Sequence, residues 1–512
     1  MNKSIYSLIR LVAVFFLFSC AKEERYAVTE KAVFEVKQVP IIQGAVNLVG
    51  ELRIDGEIAG EFNQMQASFV SDTPLDQVVL VEQDGSEFTI VHAANHVQGP
   101  VVFPIPASDT SKDRVFIFHI IPSQQASLLE KVRLTIDYLQ WGRERGLPSG
   151  VGDVFKLRLA RGLRNRGDDG VHSFRIPGLA TSKNGTLLAV YDMRWERSND
   201  LQGHVDVGLS RSTDGGSTWE PMRTIIDMGE WGGLPQDQNG VGDPAILVDD
   251  QTGTIWVAAL WMHGKPAEAA WNSSQPGMRP DQTGQLVLVK SEDDGITWSD
   301  PINVTESLKD PSWYLFLAGP GRGITTRDGT LVFAGQYKDA DQVPHSTIIY
   351  SIDRGATWRM GKGARTHTTE AQVVELSDGS LMLNMRDDRG GARAIMVTRD
   401  LGETWEEHAS HRTALVEPIC MASIIANPYT DDAPVFLFSN PNTTDGRYNI
   451  TIKTSFDEGN SWPETNQVLL DEGVGWGYTC LTMVDERHVG ILYESSQAHM
   501  TFQIIPIEEL IP

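Results

Sequence analysis

At 512 residues and a formal charge of −25, the chain exceeds what one hydrophobic core sustains, so two or more domains are expected. Its acidic balance, with no run of five or six basic residues, excludes a polyanion partner: nucleic-acid binding draws on clustered Lys and Arg, so no DNA or RNA is expected. The 47 glycines, 25 prolines and 13 tryptophans, with few long helical periodicities, favour an all-β chain of short strands and tight turns, a sandwich or a propeller.

Residues 1–19 read as an export signal: Lys3 and Arg10 precede an apolar run, Leu11 to Phe18, that is too short to span a bilayer permanently. The segment ends LFSC, which resembles the bacterial lipoprotein cleavage box. That resemblance implies a lipid on Cys20 and an exported, membrane-anchored protein, periplasmic or at the cell surface; the alternative is an ordinary signal peptide with an incidental cysteine. No later segment is long and apolar enough to cross a membrane. Cys420 and Cys480 are too few for a disulfide framework and lack metal-ligand spacing, so they form one bridge or stay buried and reduced.

Residues 20–155 carry strand-like runs, AVNLVGELRIDG, DQVVLVEQDG, RVFIFHIIP and KVRLTIDYLQW, that predict a smaller β-sandwich, either carbohydrate-binding or a spacer. Trp141 is the only tryptophan before residue 150. This compositional step, beside the turn-rich LQWGRERGLPSGVGD, sets the boundary near residue 155. Residues 156–512 then form the second domain.

Within it an eight-residue pattern recurs: STDGGSTW (212–219), SEDDGITW (291–298), SIDRGATW (351–358), TRDLGETW (398–405) and SFDEGNSW (455–462). Each reads as a hairpin turn in which Asp accepts turn amides, Gly takes a positive φ and Trp packs beneath the sheet. The aspartates lie 79, 60, 47 and 57 residues apart, near the length of a four-stranded blade with insertions. These repeats resemble the Asp-box of sialidases and related propellers, which implies a six-bladed β-propeller. Asp214, Asp293, Asp353, Asp400 and Asp457 are structural in this reading. Asp-boxes also occur in binding proteins, so they do not carry function.

FRIPGL (174–179), followed by GTLLAVYDMRWERSND, resembles the sialidase FRIP signature with its downstream Arg and Asp. The resemblance implies that Arg175 grips a sialic acid carboxylate, with Arg386 (LMLNMRDD) and Arg447 (NTTDGRYNIT) completing a three-arginine clamp. Planar guanidinium groups suit a carboxylate because they offer forked donors and remain charged; the alternative for any isolated Arg is a solvated or ion-paired surface position. Arg447 lies in an Asn-rich loop.

The same resemblance implies that Tyr478 (VGWGYTCL) is the nucleophile and Glu370 (HTTEAQVVEL) the base that activates it. A phenol with a pKa near 10 needs such a base, and a neutral nucleophile avoids repulsion from the sugar's own carboxylate. Sialidases are a known exception among glycosidases in using tyrosine.

Asp200 (SNDLQGHVDV) matches the family's acid/base, and Arg194 would contact the sugar near its carboxylate; Asp206 is read as structural. Glu494 (ILYES) resembles the glutamate that orients the first arginine. Asp243 (GVGDPAIL) resembles one lining a hydroxyl pocket, or is a turn aspartate before Pro244. The implied activity is a retaining exo-α-sialidase acting on glycoproteins, gangliosides and oligosaccharides, with no cofactor and no metal. Alternatives are a trans-sialidase or intramolecular trans-sialidase, a glycosidase of a related ulosonic acid and, further off, a non-catalytic sialic-acid lectin.

Overall fold

The computed structural model describes residues 26–108, 111–150, 155–265, 267–430 and 435–511; Cys20 and the export segment lie outside the described residues. Among these, α-helix occurs only as single turns, Gly56–Ala59, Ala270–Ser273 and Thr305–Leu308, and no helix is long and apolar enough to cross a membrane. The rest is strand and turn.

In the N-terminal part, strands such as Phe62–Val70, Arg114–Ile121 and Lys131–Trp141 bury roughly every second residue, as a sheet with one face on a core requires. Phe62, Phe69, Phe103, Phe116 and Phe118 meet in a single core, several of them edge to face. The strand Phe155–Arg164 serves both parts of the chain. Its first residues pair with Lys131–Trp141 and its last with Met500–Pro506, antiparallel in both cases. Glu509 accepts from both Lys131 and Arg158 beside this splice.

Apart from five two-residue strands, the remaining strands form six successive four-stranded antiparallel units. Their first strands are Ser173–Thr181, Asn239–Val248, Leu315–Ala318, Thr368–Glu375, Ser423–Asn427 and Thr479–Asp485. The sixth unit takes its outermost strand from Phe155–Arg164.

The middle strands are buried on both faces, so they read as continuous apolar runs instead of alternating. In Leu187–Arg194, Leu187, Ala189, Tyr191 and Met193 face a layer shared with Leu492, Met500 and Phe502 of the sixth unit. Leu188 and Val190 face the opposite layer, shared with Val241 and Ile246 of the second. Comparable layers separate the second unit from the third, and so on to the sixth.

Each eight-residue repeat joins the third and fourth strands of a unit, as Ser351 to Arg359 does between Pro344–Ser351 and Arg359–Met360. Asp353 accepts the Ser351 hydroxyl and the Thr357 N–H on Oδ1, both at 2.8 Å, and the Thr357 hydroxyl on Oδ2 at 2.6 Å. Asp214, Asp293, Asp400 and Asp457 repeat the pattern. Gly355 has φ +83°, and a Cβ there would lie 2.2 Å from the Trp256 indole, so only glycine fits. The tryptophans reach the preceding unit: Trp358 meets Trp256 at 5.6 Å and Trp219 meets Phe502 at 5.1 Å. In an antiparallel meander the third strand runs with the first, so these turns lie at the end opposite to where the first strands begin. Cys420 and Cys480 are both buried free thiols.

Candidate active site

Arg175 and Glu370 sit near the start of the first strands of units one and four and Asp243 midway along that of unit two, each where the strand register slips. Such bulges bend a strand and re-aim its side chains. The cost is visible at Ile176, a β-branched residue at φ 60°, a conformation such residues rarely adopt. Its N–H is held by Glu494 Oε1 at 2.9 Å.

Glu494 is the hub of this corner. Its side chain is fully buried, and its Oε1 accepts Arg175 Nε at 2.6 Å. Its Oε2 accepts the Tyr478 N–H at 3.1 Å. The Arg175 guanidinium is also stacked on Trp476, 4.4 Å from the ring centre. Burial lowers the Arg175 proton affinity, but Glu494 more than compensates and keeps the cation charged.

Tyr478 stands immediately before Thr479–Asp485. Its hydroxyl donates to Glu370 Oε1 at 2.5 Å and accepts from Arg386 Nη1 at 3.0 Å, while the same Nη1 donates to Glu370 Oε2 at 2.6 Å. Arg386 lies near the end of Leu381–Asp387, and its Nε is buried without a partner among the described residues. Burial, then the Glu370 charge, push the Tyr478 pKa well above its ordinary value, against Arg386 and Arg447. The phenol is therefore neutral, with its proton on the line to Glu370.

Arg447 lies on the connection between Val435–Pro441 and Ile450–Ser455. It donates to the carbonyls of Trp476 and Ile419 at 3.0 and 3.1 Å, with its guanidinium 5.5 Å from the Tyr478 ring centre. Gly477 makes this approach possible: at φ +85°, a Cβ would come within 3.0 Å of the Arg447 Cβ.

A second corner is built on Leu187–Arg194. Asp192 and Arg194, two apart on one strand, share a face, and Asp192 Oδ2 accepts Arg194 Nε at 3.0 Å and Nη2 at 2.8 Å. Asp192 Oδ1 accepts the Asp243 N–H at 2.8 Å. Arg194 Nη1 meets Asp200 Oδ1 at 2.6 Å, and the Asp200 side chain is 67 % exposed at the end of its turn. Partial burial raises the Asp200 pKa, but Arg194, Arg175 and Arg386 outweigh it and hold it below the ordinary carboxylate value. Burial and the charges of Asp192 and Asp200 drive Asp243 well upward, toward its neutral form. Asp206 accepts Trp195 Nε1 at 2.8 Å and pairs with His204, beneath the turn that carries Asp200.

The fold thus gathers all eight candidate side chains and Glu494 at one end of the units. Sequence reasoning missed Asp192 and Trp476. Asp192 had a local signal, an acid two positions before Arg194; Trp476 had none, since the group it stacks on is Arg175.

Residues 176–459 match the family described as a BNR repeat-like domain. A sialidase of Bacteroides fragilis is 59% identical over 389 residues, 75% of this chain and 72% of that protein. A sialidase of Micromonospora viridifaciens is 33% identical over 350 residues, 66% of this chain and 52% of that protein. Among solved structures, Hadza microbial sialidase Hz136 is similar with a TM-score of 0.86 at 44% identity, covering 93% of this chain and 100% of that one. An all-β fold with these relatives defines a glycoside hydrolase of the exo-α-sialidase class. The chain belongs to the bacterial sialidase family.

Proposed function

We propose that the protein removes terminal sialic acid from glycoproteins, glycolipids and oligosaccharides with retention of configuration. The observation that carries this reading is the Tyr478 hydroxyl held between Glu370 and Arg386. Arg175, Arg386 and Arg447 grip the sugar carboxylate. Tyr478 Oη attacks the anomeric carbon as its proton passes to Glu370, and Asp200 protonates the departing glycosidic oxygen; Asp200 then takes a proton from the water that cleaves the tyrosyl intermediate. In the free protein the guanidinium groups keep Asp200 ionised. Entry of the substrate carboxylate among them offsets that positive charge and raises Asp200 toward the proton-bearing state it needs. Arg194 and Asp243 contact the ring substituents. No step calls for a metal or cofactor.

The scaffold in this reading is a six-bladed β-propeller. Six apolar layers, the last joining unit six to unit one, support it. The five repeats are Asp-boxes and FRIP is the family signature; the strand Phe155–Arg164 closes the sixth blade. Residues 20–155 are a separate β-sandwich, and Cys20 carries a lipid that anchors the exported enzyme to a membrane, after removal of residues 1–19.

Tyr478→Phe tests the chemistry. It should abolish turnover of a chromogenic sialoside while leaving sialic acid binding within a few-fold, and wild-type-like turnover would refute the nucleophile. Free sialic acid among the wild-type products, against an anhydro or transferred sugar, separates hydrolysis from transfer.

A further inference from the structure

A cavity lies away from this site. It has a volume of about 900 Å³ and is lined by Thr181, Val248, Thr325, Glu375, Asn427 and Thr482, one residue from each of the six units, with Arg322 among them. Thr181, Val248, Glu375 and Asn427 end or nearly end their strands, whereas Arg175 and Glu370 lie near the starts, so the cavity is at the opposite end of the units.

Its charged groups are not equivalent. Arg327 pairs with Glu375 at 3.1 Å, and Lys183 donates to the Gln251 carbonyl at 3.1 Å. Arg322 has only neutral acceptors at long range: Thr482 Oγ1 at 3.3 Å, Leu481 O at 3.4 Å and Gly323 O at 3.5 Å. Among the described residues no carboxylate lies within ion-pair distance of it; Asp250, on the cavity wall, interacts with it only at longer range. Partial burial lowers the Arg322 proton affinity, as expected of a half-buried cation without a counter-ion beside it.

A half-buried guanidinium gives up part of its hydration there without a carboxylate to offset it, so an apolar residue of similar length would pack at lower cost. Forked donors that meet only long, neutral acceptors, the Thr482 hydroxyl beside them, and apolar walls from Ile324, Val374 and Met483 form a receptor for a planar or tetrahedral oxyanion. We propose that this cavity binds a small carboxylate- or phosphate-bearing anion through Arg322, independently of the Tyr478 site.

The test uses the full chain in anion-poor buffer at constant ionic strength, with chloride as the control salt, and follows thermal unfolding against inorganic phosphate and, separately, citrate. At least one probe should raise the wild-type Tm in a saturable way; response to phosphate or to citrate distinguishes the two classes. Arg322→Met should unfold at a higher Tm than wild type without a probe, lose the probe response, and hydrolyse a chromogenic sialoside within twofold of wild type. If Arg322→Met does not fold, Arg322→Lys serves instead: it should bind the active probe at least fivefold more weakly by calorimetry. No wild-type response to either probe, an unchanged response in Arg322→Met, or equal affinity in Arg322→Lys would overturn the proposal.

Discussion

Replacing Glu494 by glutamine removes one negative charge at almost constant volume from a fully buried position in the site. In the native protein that carboxylate holds Arg175 Nε at 2.6 Å, the Ile176 N–H at 2.9 Å and the Tyr478 N–H at 3.1 Å, with no exposure of its side chain. Two unit charges about 4 Å apart at an effective dielectric near 20 attract by about 4 kcal/mol. Breaking a buried pair by removing one partner costs about 3–5 kcal/mol, because the other charge stays behind. The amide retains one acceptor for Arg175 or Ile176 but turns a donor toward the Tyr478 N–H, which then lacks a partner; that adds about 1 kcal/mol or more. The expected loss is about 4 kcal/mol in unfolding free energy, read from urea denaturation by tryptophan fluorescence. On a chromogenic sialoside, kcat/KM should fall at least tenfold, since Arg175 and Tyr478 lose their common anchor. A loss under about 1 kcal/mol with unchanged kcat and KM would refute the view that Glu494 fixes both residues.

Trp476→Ala removes the ring beneath Arg175, a cation–π contact worth about 1–2 kcal/mol when partly desolvated; KM should rise about tenfold, with kcat less affected, in steady-state assays. The repeat aspartates Asp293, Asp353 and Asp400 are held down at about 2, chiefly by the Thr hydroxyl each accepts. Against about 3.9 in the unfolded chain, the stability they lend is complete above about pH 4 and is lost as pH falls through 2. Asp353→Asn should therefore flatten the fall of Tm between those pH values, and an unaltered slope would contradict the assignment. Burial pushes the thiols of Cys420 and Cys480 up to about 12 and about 11, so both should resist a thiol reagent at pH 8 in the native state and react on denaturation.

Much of the fold was legible because it is written locally. An Asp, a Gly and a Trp inside eight residues close their turn with partners no more than four positions away, so the pattern survives in one dimension and its recurrence counts five of the six units. The sixth lacks the repeat, and its outer strand comes from Phe155–Arg164, hundreds of residues upstream. The site was legible only through resemblance, because its residues are single and widely spaced. Asp200 and Arg194 lie close enough in sequence to be read together. Arg175 and Glu494 are 319 positions apart, and nothing near either indicates the other.

By itself, then, the sequence determined the all-β class, the turns and the candidate residue types, since these depend on period-two burial, glycine conformations and the chemistry of single side chains. Tertiary structure alone decided that Tyr478 lies between Glu370 and Arg386, that Asp192 supports both Arg194 and Asp243, that Trp476 backs Arg175, and that Arg322 stands in a cavity with no carboxylate at ion-pair distance among the described residues. Each of these depends on which strands become neighbours when six units pack face to face. Packing also sets protonation, because burial and the charges across a gap govern whether a phenol or a carboxyl keeps its proton.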